Sequence, residues 1–343
     1  MWSSGSWSSD PNKNNITRPA VYVVVNESPS ANIAIAPPPA RARLGAAWNS
    51  DLAHSFRHSP VAMISAAVLA VCLGATLFAP WVAPHNPFDL RTLNLLDALA
   101  PPAWQQGGSA QYLLGTDDQG RDVLSAIMFG ARISLLVGLC AVALAMLLGV
   151  SLGLLAGYVG GKTDAFIMRV ADVQLSFPAI LIALLIDGVA RAALPRDAHS
   201  SVALLVLILA IGASNWVQYA RTVRGSTMVE KNKEYVQAAR VIGIAPLVIM
   251  RRHLLPNVLG PVLVLATINI ATAIITEATL SFLGVGVPPT QPSLGTLIRV
   301  GNDFLFSGEW WITIFPGAAL LIMVLAINLQ GDWLRDALNP KLR

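Results

Sequence analysis

The chain has 343 residues, 55% of them hydrophobic and only 12% charged, against about 25% charged in an ordinary soluble domain. So little charge, with a mean hydropathy of +0.60, cannot cover a water-soluble surface. It excludes the two-domain soluble enzyme that length alone would allow, and makes a bilayer the first solvent to consider.

Residues 1–58 are rich in Ser, Asn, Ala and Pro, include Pro37-Pro38-Pro39, and lack helical periodicity before Trp48, the composition of a disordered tail. No basic segment precedes an apolar core near the start, so the tail is not read as a cleavable signal. Trp48, Leu52 and Phe56 then recur at intervals of four. They give one apolar stripe of an interfacial helix, with a solvated linker as the other reading. Residues 61–79 carry no charge, and 19 residues at a helical rise cover about 28 Å, close to a hydrocarbon core. A second uncharged run at 133–161 is longer than a span requires, so its ends must tilt or leave the membrane. The third, 173–186, is short; it completes a crossing only with residues from Asp164 onward, and puts Asp172 and Asp187 at its ends. Runs at 200–220, 258–276 and 311–331 supply spans four, five and six. The expected fold class is an all-α polytopic membrane protein with six transmembrane helices.

Basic residues accumulate on the cytoplasmic side of such proteins. With the N-terminus inside, seventeen of the 23 Lys and Arg fall on inside segments and six outside, which places both termini in the cytoplasm. The net charge of +4 is therefore distributed by topology rather than gathered on one soluble face, and nucleic acid is not its explanation. The chain divides into the tail at 1–58, a first transmembrane segment at 59–84, an extracytoplasmic excursion at 85–132, a core at 133–331 and a cytoplasmic tail at 332–343. Cys72 and Cys140 lie in apolar runs without disulfide or zinc spacing and are read as buried free thiols. Within the excursion, Asp117, Asp118, Arg121 and Asp122 form a mixed-charge cluster. Two readings stand for it: an exterior docking salt-bridge set, or a solvated capped turn before a helix that begins at Val123.

Residues 221–256 are the most informative segment, because a membrane-helix connection of this length carries structure or function. Residues 233–242 read as a helix stopped by Gly243, the residue suited to a left-handed C-terminal cap. Pro246 suits the first turn of a second helix over 246–255, and Pro256 opens span five. The expectation is a helix-turn-helix pair lying against the cytoplasmic ends of the spans, with Ala238 and Ala239 as one smooth patch open to a partner protein. Packing on this chain's own spans alone is the rival reading.

Gln237-Ala238-Ala239, three residues, Gly243, nine residues, His253, one residue, Leu255-Pro256 resembles the cytoplasmic signature of binding-protein-dependent ABC importer permeases. The family's spacing is kept in full. Gln237 replaces the usual glutamate and His253 the common isoleucine, although Arg252-His253 followed by Leu255-Pro256-Asn257 is typical of the peptide and nickel branch. Three further segments resemble that branch: LLGTDDQGRDVLSAIMFGARISLLVG at 113–138, EATLSFLGVGVPPTQPSLG at 277–295 with Leu294 for tryptophan, and GDWLRDALNPKLR at 331–343 with Asn339 for aspartate.

The resemblance implies a type I permease-like fold and a subunit of an importer for di- or oligopeptides. It implies a second permease subunit as a heterodimer partner, two cytoplasmic ATPase subunits and an extracytoplasmic solute-binding protein. It implies a multi-pass protein of a bacterial inner membrane. The segment 221–256 would be the coupling loop, with Gln237, Ala238, Ala239, Gly243 and Pro256 at the ATPase contact. Arg251 and Arg252 would be salt partners there or lipid-headgroup anchors. ATP would be used by the ATPase partners, and no cofactor is expected on this chain. Its own loose phosphate-loop pattern, Ala156 to Gly161-Lys162-Thr163, ends an apolar span instead of joining a strand to a helix. The chain is accordingly read as a transporter subunit and not as an enzyme.

Glu277 follows 19 uncharged residues and falls near the outer end of span five, where it needs a partner or water. It is either a pathway or gate residue or a hydrogen bond that pins the exterior loop. The five histidines are scattered over both sides, which offers no metal site. Two alternatives to peptide import remain: the same architecture carrying nickel, glutathione or another small solute, and an ion-driven secondary transporter. The second predicts paired intramembrane charges or inverted repeats, which the spans almost lack.

Overall fold

The computed structural model describes residues 51–89, 93–193, 195–287 and 292–338. Most of the tail at 1–58, Trp48 of the apolar stripe, and the C-terminal residues from Asn339 lie outside the described residues. Within them all regular structure is helical. Five helices are long and apolar enough to cross a membrane; a further pair passes the same test together although bent by 93°, which makes six if that pair is one span.

Helix α1 (Asp51–His58) leads into α2 (Pro60–Leu77). Ser59 separates them as an N-cap, accepting from the Ala62 N–H at 3.3 Å, with Pro60 in the first turn where its missing N–H costs nothing. The Phe56 ring stands edge-on to Trp333 at 5.1 Å. The next long helix, α3 (Val123–Val159), has 37 residues and is about 55 Å long. It ends at Gly160 and Gly161, whose φ values of 71° and 55° fall where glycine is favoured and form the joint to α4 (Gly161–Leu175).

The third span departs from expectation. Residues 173–186 straddle a break: α4 stops at Leu175, and α5 (Ala179–Ala193) starts after Pro178 at 93° to it. Proline disfavours helical conformation in the residue before it, here Phe177, so apolar character continues where the helix does not. Asp172 and Asp187 do not cap a span. Asp172 pairs with Arg221 at 2.6 Å, and Asp187 sits inside α5, buried, with Arg191 Nε at 2.5 Å.

Helix α6 (Arg196–Glu230) runs ten residues beyond the expected end of span four. Charge ends a membrane span but not a helix: Arg221 and Arg224 stay helical while reaching Asp172 and Asp164 of α4. The first ten residues of the expected 221–256 segment are accordingly helical, and the α6 helix gives way at Lys231. After α7 (Glu234–Val241), the helix of Pro246–Val248 passes through a π-helical stretch, Ile249–Leu254, directly into α8 (Leu255–Phe282). Pro256 stands in the first turn of α8, as expected, although the backbone enters that turn already helical. The Leu255 N–H reaches the Met250 carbonyl five residues back, and this wider turn accommodates a proline that the α-helical register would exclude.

Three glycines set the closest helix pair. Gly149, Gly153 and Gly157 recur every fourth residue along α3, and a Cβ at each would stand 2.5, 2.4 and 2.9 Å from the Trp216, Ala220 and Arg224 carbonyl oxygens of α6. Backbone meets backbone there, the device by which membrane helices gain contact without a hydrophobic drive between them. The main core joins α3, α6 and α8 through Val137, Ala141, Leu207, Ile211, Ala273 and Leu280. Helix α9 (Leu294–Phe304) and helix α10 (Trp311–Leu338) complete the bundle. Gln330 of α10 donates to the Ala62 carbonyl at 2.6 Å and to Ser65 Oγ at 2.9 Å, tying α10 to α2. Neither thiol is buried as expected: Cys72 is half-buried and Cys140 exposed, because an apolar run in a membrane helix faces outward as readily as inward.

Candidate functional site

Residues 231–254 form a short structured segment at the end of the bundle where α3 and α6 finish. Lys231 Nζ donates to the Gly157 carbonyl at 2.7 Å, holding the start of the segment to the end of α3. Glu230 takes Lys233 Nζ at 2.7 Å and the Tyr235 hydroxyl at 3.0 Å. Asn257 of α8 donates to Tyr235 Oη at 3.1 Å, and the Arg240 guanidinium lies 5.0 Å from the Tyr158 ring centroid. Helix α7 is thus fixed at both ends.

Its termination follows the glycine signal. Gly243 has φ +83°, its N–H bonds the Arg240 carbonyl at 3.0 Å, and the Ile244 N–H bonds the Ala239 carbonyl at 3.0 Å. This is the paired closure of a Schellman motif.

Helical geometry separates residues that adjoin in sequence. Val236 and Ala239, three apart, share the inward face and are buried, whereas Ala238 is exposed. The expected single Ala238 and Ala239 patch is therefore corrected: one alanine faces the bundle and the other faces out. Gln237 is exposed and donates to the Asn232 carbonyl at 3.0 Å, closing the turn before α7. Pro256 is exposed on the first turn of α8. Arg251 and Arg252 are exposed and, with Leu247 and Val248, line a surface groove of about 400 Å³. Sequence reasoning missed the outward apolar residues: Val241 is 88% exposed, Ile242 77% and Leu247 61%. Their signal was a cluster of large apolar side chains beside a glycine cap in an otherwise basic connection.

The mixed-charge cluster before α3 is largely enclosed. Asp117, Arg121 and Asp122 are 2, 3 and 2% exposed. Asp117 accepts Arg121 Nε at 2.6 Å and the Gln119 and Arg121 N–H groups at 2.9 Å, while Asp122 caps α3 through the Ser125 N–H at 2.9 Å. These bonds form a capped turn at the start of α3. Asp118 is half-buried; burial and then the neighbouring Asp117 charge raise its carboxyl above the usual carboxylate range.

Glu277 is fully buried. Its carboxylate receives Ser134 Oγ of α3 and Ser281 Oγ of α8, each at 2.7 Å, and Ser134 Oγ in turn accepts the Leu294 N–H at 3.3 Å. Three helices meet at this node. Its hydrogen bonds tie α3, α8 and the start of α9 together.

Comparison with known proteins fits this architecture. The family described as binding-protein-dependent transport system inner membrane component matches residues 149–343, and the N-terminal transmembrane domain of oligopeptide transport permease C matches residues 48–102. The di/tripeptide transport system permease protein of Pseudomonas aeruginosa is 39% identical over 84% of this chain and 91% of its own length. The dipeptide transport system permease protein of Escherichia coli is 42% identical over 84% and 92%. The oligopeptide transport system permease protein of Bacillus subtilis is 37% identical over 84% and 88%. A solved inward-facing structure of the MetNI methionine ABC transporter is similar over 62% of this chain and 96% of that one, with a TM-score of 0.49 and 20% identity. By the family match and by relatives aligned over most of both chains, this protein belongs to the binding-protein-dependent transport system inner membrane components.

Proposed function

We propose that this chain is one of two permease subunits of an ATP-driven importer that carries di- or oligopeptides into a bacterial cell. The observation behind this reading is its match, at 39% and 42% identity over 84% of its length, to permeases of di/tripeptide and dipeptide systems. Its partners are a second permease, two cytoplasmic ATPases and an extracytoplasmic binding protein. The sorting of basic residues, seventeen against six, supports cytoplasmic termini and puts the segment 231–254 inside.

In this reading α7 is the coupling helix. Its inward face rests on the bundle, and Ala238, Val241, Ile242 and the Arg251 and Arg252 groove face the ATPase. Gln237, Ala239, Gly243 and Pro256 shape the helix and its turn. Closure of the ATPase dimer on ATP moves α7, and with it α8, whose π turn and continuous helix join the segment to the bundle core. Bound nucleotide then favours one of two packed arrangements.

The test is reconstitution of the complete complex in vesicles with labelled dipeptide outside. Uptake that requires ATP, both ATPases and the binding protein is expected. Uptake without ATPases, or of a non-peptide solute alone, overturns the reading. A crosslink separates the coupling assignment: Ala238→Cys should join a cysteine in the ATPase groove and Ala239→Cys should not. Equal crosslinking at both removes α7 from the contact.

A further inference from the structure

A displacement of α7 reaches the bundle only through what α7 is joined to. Neither backbone route out of it is helical. Lys231, Asn232 and Lys233 lie between α6 and α7 outside both helices, and the exit passes Gly243, which has φ +83° and nothing within 4 Å of the place a Cβ would take. Such joints let the helices on either side turn against each other. The packing of α7 rests on Val236 and Ala239, both buried, and apolar contact is non-directional, so it sets a distance and no orientation. One side chain supplies the missing direction. The Tyr235 hydroxyl donates to Glu230 Oε1 at the end of α6, at 3.0 Å, and accepts from Asn257 Nδ2 in the first turn of α8, at 3.1 Å. Its ring stands 6.4 Å from the His253 ring of the π turn. A single hydroxyl in the first turn of α7 therefore joins three helices.

The fold does not need this hydroxyl to satisfy its partners. Glu230 also holds Lys233 Nζ at 2.7 Å, and Asn257 Nδ2 also donates to the His253 carbonyl at 2.6 Å. Tyr235 and Asn257 are both exposed, where a hydrogen bond adds little net stability because water replaces it. What its loss removes is the connection. The bond to the Glu230 carboxylate is of the stronger, charge-assisted kind, and α6 and α8, the two helices it links to α7, are those that meet α3 in the main core.

We propose that Tyr235 is a positioning residue for energy coupling, its hydroxyl delivering the displacement of α7 to the end of α6 and the start of α8 together. The inference rests on the reading of α7 as the coupling helix. The complete reconstituted complex tests it through dipeptide taken up per ATP hydrolysed. Tyr235→Phe keeps the ring and removes both bonds, so this ratio should fall about tenfold, the effect of one charged hydrogen bond on coupling. Asn257→Ala cuts only the α8 side. It should lower the ratio by itself and add little on top of Tyr235→Phe, because residues acting through one contact are not additive. Uptake and hydrolysis that fall in equal proportion mark a merely structural contact and overturn the proposal, as does a wild-type ratio in both variants or full additivity between them. Should Tyr235→Phe fail to assemble, Asn257→Ala decides by the same ratio, a fall supporting the link and a wild-type value overturning it. Wild-type complex that imports no peptide refutes the importer reading, and import without the Ala238→Cys crosslink refutes the coupling helix. Import and crosslink intact with indifferent variants refute only the Tyr235 link.

Discussion

At the scale of single residues, burial decides roles that sequence leaves open. Glu277, Asp117 and Arg121 are charged side chains that composition rules put on a surface or in a pathway, and all three are enclosed. What they hold could not be read without their partners: Ser134 lies 143 residues from Glu277 along the chain, and no local spacing announces it. Asp122 differs, because an aspartate three residues before Ser125 at the start of an apolar helix is a local cap signal. The Glu277 node makes a testable case. Glu277→Ala removes the acceptor of two serine hydroxyls and leaves a cavity among α3, α8 and α9. Each unmet buried group costs about 1–3 kcal/mol, with the cavity adding to it. Glu277→Gln keeps an acceptor and fills the space, so its loss should stay near about 1 kcal/mol. Thermal unfolding of the purified subunit in detergent distinguishes them. Alanine as stable as glutamine would show that the node holds nothing together.

At the scale of elements, the segments legible in the sequence were those with local punctuation. Ser59-Pro60 starts α2, Gly243 ends α7, and Gly160-Gly161 ends α3, each through a backbone preference confined to a few residues. Two boundaries were not legible. The break at Pro178 hid inside a continuous apolar run. The end of α6 hid in the opposite way, since Arg221 and Arg224 looked like a loop until their partners on α4 were known. The π turn before Pro256 belongs with these, because a helix can widen by one residue where a proline would otherwise end it. The glycine ladder on α3 was present in the sequence as Gly149, Gly153 and Gly157, a small-residue period that marks helix contact in membranes. It predicts an asymmetric response. Gly153→Leu must drive a side chain into the Ala220 backbone, which cannot give way, and should cost more than the about 1–3 kcal/mol of ordinary overpacking. Gly225→Ala on α6 meets nothing within 4 Å and should be neutral or stabilising by up to about 1 kcal/mol. The yield of monodisperse protein after detergent extraction reads both; Gly153→Leu extracted as well as wild type would show that α3 and α6 are not held at backbone contact.

At the scale of the whole molecule, scarcity of charge and its placement carry separate information. The 12% of charged residues points to the solvent, while their sorting is the basis of the proposed orientation. Seven of the seventeen residues that the proposed orientation puts inside fall between Arg221 and Arg252, the stretch that holds the end of α6 and the proposed coupling helix. The fold turns that linear count into a geometric one. Helix α3, about 55 Å long, separates the segment before it, with Leu96 92% exposed, from the joint after it, with Lys162 exposed. The two positions must therefore react from opposite sides of a membrane. In a chain with Cys72 and Cys140 replaced by alanine, Leu96→Cys should be labelled by a membrane-impermeant maleimide added to spheroplasts, and Lys162→Cys only in inverted vesicles. One lysine is a small part of the inside excess, so its replacement does not reverse the orientation. The opposite pattern would invert the topology and put α7 beyond the reach of any cytoplasmic ATPase. Labelling of both positions from one side would mean that α3 does not cross, and would remove the span count on which the sorting of charge depends.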